Sequence, residues 1–119
     1  MPKILVVDDN AYIRAILANH IQSDGFATEE AADGVAAMEK AAGCDLILLD
    51  VMMPGMSGLE VLQKLKASPT TSAIPVVMIS AYGQRENIIR AARAGAADFI
   101  VKPFTRDLVL EKIRKNLVV

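Results

Sequence analysis

Three aspartates, a serine and a lysine stand at the ends of four separate apolar runs in this chain. Ile4-Leu5-Val6-Val7 leads into Asp8 and Asp9, and Leu46-Ile47-Leu48-Leu49 into Asp50. Val76-Val77-Met78-Ile79 leads into Ser80, and Phe99-Ile100-Val101 into Lys102. Carboxylates crowded together repel and raise one another's pKa, and a divalent cation relieves that. All-oxygen ligands favour a hard cation, and few protein ligands completed by water suit Mg²⁺ better than a Ca²⁺ cage. The chain has no EF-hand loop spacing and no His/Cys cluster for zinc. A carboxylate held against such a cation can attack phosphorus and become an aspartyl phosphate. The metal would neutralise the group in transfer, Lys102 would add a second positive charge, and Ser80 a hydroxyl donor. Neither a P-loop nor a GxGxxG motif is present, so a donor must bring its own activated phosphoryl group.

These residues meet only if the runs that carry them lie side by side. The runs are short, rich in β-branched residues and not alternating, which predicts strands buried on both faces. Between them lie stretches of helical period. Asn10–Ser23 puts Ile13, Ile16, Leu17, His20 and Ile21 on one stripe, stopped by Asp24-Gly25. Ala27–Ala31 predicts a weak, polar strand at a sheet edge, and Asp33-Gly34 opens an alanine-rich helix running through Ala41. Pro54-Gly55 is a loop, Ser57 with Glu60 forms a capping box for a helix to about Ala67, and Ser68–Ser72 is a polar connection. Gln84–Ala94 predicts a fourth helix closed by Gly95, and Thr105 caps a fifth that runs nearly to the end. Strand and helix alternate five times, which requires an α/β architecture: a doubly wound parallel sheet with right-handed crossovers and helices on both faces. All carboxyl ends then point one way, into the crevice where open α/β sheets place their sites.

Bulk properties narrow the function classes. The 119 residues suffice for one domain over 1–119, and 53% hydrophobic residues argue against disorder. Without tryptophan, the core must be aliphatic. A net charge of −1 gives no electrostatic case for binding nucleic acid or an anionic membrane. The single Cys44 has no internal partner and reads as filler before a strand, which fits a reduced, cytoplasmic setting. No apolar stretch is long enough to span a bilayer, and the first strand leaves no room for a signal peptide. The chain closes with the fifth helix, so no output domain is expected. His20, the only histidine, reads as a packing residue, and Met52, Met53, Met56 and Met78 as core and loop filler.

Asp8-Asp9, Asp50 followed by Met53-Pro54-Gly55-Met56-Ser57-Gly58, Ser80-Ala81, and Lys102-Pro103-Phe104, in this order and spacing, resemble the receiver domain of bacterial response regulators. Asp8-Asp9 alone would read as a helix cap and Asp50 alone as a turn residue; the combination with Lys102 displaces both readings. The stretch Arg85–Ala92 with Ala94-Gly95-Ala96 looks most like the single-domain chemotaxis type. The resemblance implies a flavodoxin-like sheet of order 2-1-3-4-5 with five helices. It implies that Asp50 accepts a phosphoryl group from a histidine kinase or phosphotransfer protein. Asp9, Asp50 and the Met52 backbone carbonyl would hold Mg²⁺ (or Mn²⁺), and Asp8 would act through water. Lys102 would pair with the phosphoryl group, and the Lys102–Pro103 bond would be cis. Ser80 and Phe99 would form the switch, read out on the fourth helix, fifth strand and fifth helix, with Ile88 and Leu108 as exposed apolar anchors for a protein target. Ala97 replaces an acid used by dimerising relatives, so a monomer is expected. Met52 and Tyr82 flank the site and carry nothing suited to orient water, which implies modest to slow loss of phosphate. The chain would catalyse only its own phosphorylation and dephosphorylation. A small-substrate aspartyl-phosphate hydrolase would need an acid–base Asp where Met52 stands, and a nucleotide or flavin domain would meet repulsion from Asp8-Asp9. A chemotaxis motor switch, a phosphorelay intermediate and a receiver excised from a larger regulator remain open.

Overall fold

A computed structural model describes residues 2–81 and 85–117. Ten elements alternate without exception: β1 (Lys3–Val7), α1 (Ala11–Gln22), β2 (Ala27–Ala31), α2 (Gly34–Lys40), β3 (Leu46–Asp50), α3 (Gly58–Ala67), β4 (Val76–Ser80), α4 (Arg85–Arg93), β5 (Asp98–Val101) and α5 (Arg106–Asn116). All five strands are parallel, in the order β2-β1-β3-β4-β5. The polar strand β2 takes an edge, as its composition predicts.

The unalternated apolar runs are explained by the two cores that they separate. Leu5, Val7, Ile47, Leu49, Val76 and Met78 face one core, where α2 and α3 contribute Ala37, Val61, Leu62 and Leu65. Their neighbours Ile4, Val6, Leu46, Leu48, Val77 and Ile79 face the other, closed by Leu17 and Ile21 of α1 and by Val109 and Ile113 of α5. Each such side chain contributes roughly 1.5–3 kcal/mol on full burial. Cys44 is buried as filler. His20 packs edge-on against Phe104 with ring centroids 6.4 Å apart, the packing role expected of it.

Ser57 and Thr105 cap their helices as predicted, and Asn10 and Asp33 cap the first two. The side chains of Asn10, Asp33, Ser57 and Thr105 accept hydrogen bonds from backbone N–H groups of the first turns they precede. The fourth helix is shorter than the predicted Gln84–Ala94, and Gln84 lies outside the described residues. Gly95 follows it at φ +104°, a left-handed conformation that favours glycine.

Candidate functional site

Register sets the site. Val7 pairs with Leu49, Asp50 with Ile79, and Ser80 with Val101. The residue that ends each run, Asp8, Asp50, Ser80 or Lys102, therefore reaches the same edge of the sheet. Asp8, Asp50 and Ser80 are buried there, while Asp9 is exposed at the mouth. The expected convergence of three carboxylates and an ammonium is found, and Ser80 ends the strand next to Lys102.

Asp8 is held on every side. Its N–H donates to the Ala31 carbonyl (3.1 Å) and its carboxylate accepts from the Asn10 N–H (2.9 Å). Lys102 Nζ lies 3.3 Å from Asp8 Oδ2 and 3.8 Å from Asp50 Oδ1, so one cation bridges two acids. The Met52 N–H donates to Asp50 Oδ1 at 3.3 Å, and the Met52 side chain is exposed. Burial, with Asp8 alongside, pushes the Asp50 carboxyl up to about 6. Lys102 and the Met52 N–H pull the other way, and Asp9 adds to the rise. The repulsion read from the sequence is thus present, and one lysine does not cancel it.

Asp8, Asp9 and Asp50 each offer a carboxylate oxygen, and these atoms lie within 4.8 Å of one another. Three hard oxygen donors, an exposed mouth and uncompensated negative charge fit one divalent cation with room for water.

The loop after β3 depends on one glycine. Gly58 opens α3 with its N–H bonded to the Val51 carbonyl at 2.9 Å. A Cβ at position 58 would overlap the Asp50 carbonyl oxygen and lie 2.8 Å from Val51 Cα. The start of α3 can therefore press on the backbone of Asp50 only because the residue there has no side chain.

Of the remaining expected residues, Phe99 is half-buried on β5 and packs against the core on the α3 side. Ile88 is exposed on α4. Leu108 is not an exposed anchor: it is half-buried and leans on the core beneath α5, because that helix seats Val109, Leu110 and Ile113 and turns its neighbour inward. Tyr82 lies outside the described residues. The Lys102–Pro103 peptide is cis.

Two features were missed in the sequence. An apolar hollow of 480 Å³ beside Lys102 is lined by Ile13, Ile16, His20, Ala81, Pro103 and Phe104, residues from separate elements that no local pattern joins. Arg14 of α1 donates from Nη1 to the Asp8 carbonyl at 2.8 Å and from Nε to Glu30 at 3.2 Å. Only its position, one turn past the acidic pair, hinted at this.

The family model of the response regulator receiver domain matches residues 4–114. Among curated proteins, the chain is 43% identical over 116 residues to chemotaxis protein CheY-3 of Vibrio cholerae, covering 95% of this chain and 89% of that protein. It is also 43% identical over 111 residues to the transcriptional regulatory protein ResD of Bacillus subtilis, covering 91% of this chain but only 45% of ResD. Among solved structures, chemotaxis protein CheY4 of Vibrio cholerae superposes with a TM-score of 0.94 at 33% identity, covering 98% of this chain and 99% of that one. The receiver domain of NtrX from Brucella abortus follows at 0.88 and 35% identity, with 94% and 95% covered. The chain belongs to the response regulator receiver family, with the five-stranded parallel sheet and flanking helices of the chemotaxis receivers.

Proposed function

We propose that this chain is a phosphorylation-controlled switch in which Asp50 accepts a phosphoryl group from a phosphohistidine donor. The observation that carries the reading is the bridging of Asp8 and Asp50 by Lys102 at the mouth of the parallel sheet. With its carboxyl at about 6, Asp50 is predominantly ionised at neutral pH and can attack phosphorus. A new O–P bond forms at an Asp50 carboxylate oxygen as the P–N bond of the donor breaks, and the imidazole leaves with the bonding pair. Asp9, Asp50 and the Met52 carbonyl would hold Mg²⁺ (or Mn²⁺), with Asp8 close by, and the ion would supply charge neutralisation for the transferring group. Lys102 is already within reach of Asp50 and follows the arriving charge, and Ser80 supplies a hydroxyl to a phosphoryl oxygen.

The added charge, about −1.5 to −2, biases Ser80 and the half-buried Phe99 toward a second arrangement read out on α4, β5 and α5. Ile88 offers an apolar contact there to a protein target. Similarity to CheY-3 and CheY4 favours a chemotaxis target, a flagellar motor switch, over a phosphorelay intermediate. Similarity to less than half of ResD keeps a receiver within a larger regulator as the second reading. The chain acts as a monomer in this reading, since Ala97 stands where the resemblance to dimerising regulators calls for an acid. No helix among the described residues is long and apolar enough to cross a membrane.

Incubation with acetyl phosphate and Mg²⁺, followed by intact mass measurement, tests the central step. The wild type gains one phosphoryl group and Asp50→Asn gains none; a gain that persists in Asp50→Asn overturns the assignment.

A further inference from the structure

We infer that Arg14 is a positioning residue for the divalent cation, acting through the backbone of the Asp8–Asp9 pair; this rests on the metal-dependent reading above. Asp8 is fixed by four contacts. Its N–H is bonded to Ala31, one carboxylate oxygen to the Asn10 N–H and the other to Lys102. The fourth contact is on its carbonyl, which accepts from Arg14 Nη1 at 2.8 Å. That carbonyl belongs to the peptide joining Asp8 to Asp9, so its direction sets how the two carboxylates diverge from the strand end. Asp9 is exposed, and the peptide behind it supplies a constraint that burial does not.

The guanidinium is itself held. Arg14 is 18% exposed and its Nε donates to Glu30 on β2 at 3.2 Å. Glu30 thus acts as a stay for the arginine, and the arginine as a stay for the acidic pair. The planar guanidinium presents Nη1 to the Asp8 carbonyl and Nε to Glu30 in one rigid fork, a geometry that a flexible ammonium does not fix. Outer residues that orient a metal's ligands commonly change its affinity by about ten- to a hundred-fold when removed. An arginine that merely fastened α1 to the sheet would change stability and leave metal affinity alone.

Calorimetric titration of the full chain with MgCl₂ separates these roles, with thermal melts of the same variants in EDTA recorded alongside. Arg14→Gln weakens Mg²⁺ binding by roughly ten- to a hundred-fold. Arg14→Lys recovers part of the affinity, since an ammonium can still donate to the Asp8 carbonyl. Glu30→Gln, which frees the guanidinium without removing it, gives a smaller loss. A wild type that binds Mg²⁺ together with an Arg14→Gln protein that binds it equally well overturns the inference and leaves the metal-dependent reading intact. A wild type that binds no Mg²⁺ removes both. If Arg14→Gln does not fold, unchanged affinity in both Arg14→Lys and Glu30→Gln is the overturning result.

Discussion

Two clusters of charge in this molecule use the same residue types to opposite ends. In the crevice, Asp8 and Asp50 share one lysine, and Asp9 stands beside them. On the far flank, the single Asp98 meets Lys112, Lys115, the Asn116 amide and the N–H of Phe99. Both acids are withdrawn from water, which alone would raise both. For Asp50 burial prevails with help from Asp8, and the carboxyl rises to about 6. For Asp98 burial pushes up too, but the bonds from Lys112, Phe99 and Asn116 outweigh it and leave the carboxyl below its usual range. Charge satisfied in this way holds α5 to β5. Charge left over, as in the crevice, is available to a cation and to phosphorus.

The largest expected effect tests the unsatisfied cluster. Asp50 binds its proton more tightly in the folded chain than in the unfolded one, so its contribution is favourable below about pH 4 and is lost as pH rises through about 6. Without metal, Asp50→Asn should therefore be more stable than wild type at pH 7, by up to about 3 kcal/mol, and the gain should disappear below about pH 4. Denaturant unfolding across this range checks it; a variant less stable than wild type at pH 7 would break the contrast.

The metal should act on the crevice alone. At tenfold its dissociation constant, a ligand of the folded state adds roughly 1.4 kcal/mol. Wild type and Asp98→Asn should show the same Mg²⁺-induced rise in melting temperature, whereas Asp50→Asn should show little. Equal responses in all three proteins would detach the metal from the acidic cluster.

A smaller effect tests the satisfied cluster. The depressed Asp98 carboxyl gives stability that is complete above about 3.9, the unfolded value, and is lost as pH falls through its lower folded value. Asp98→Asn should cost roughly 1 kcal/mol near neutrality, with the difference from wild type shrinking on acidification. The two aspartate variants would then have pH profiles of opposite sign in one protein.

Much of the crevice could be read in the chain because its constraint is local. A buried run must end, and a polar residue at the end of each of four runs can be read without knowing how the runs pair. The caps Ser57 and Thr105 were legible for the same reason. The satisfied cluster was not, because residues 98, 112, 115 and 116 meet only when α5 lies back on β5. Arg14 and Glu30 lie on different elements and likewise meet only in the fold. Leu108 was misjudged because the resemblance points to a face of α5 but not to the packing beneath it, and α5 is covered from two sides, by α1 and by the sheet.

The close approach of Gly58 to Asp50 also has a consequence in time. The N–H that starts α3 is bonded to the residue following Asp50, and the two backbones touch. Fraying of that first turn cannot occur without loosening the end of β3. Amide exchange at Gly58 and the reactivity of Asp50 should therefore share one opening rate, so that the chemical lifetime of the site is set by the lifetime of a helix end.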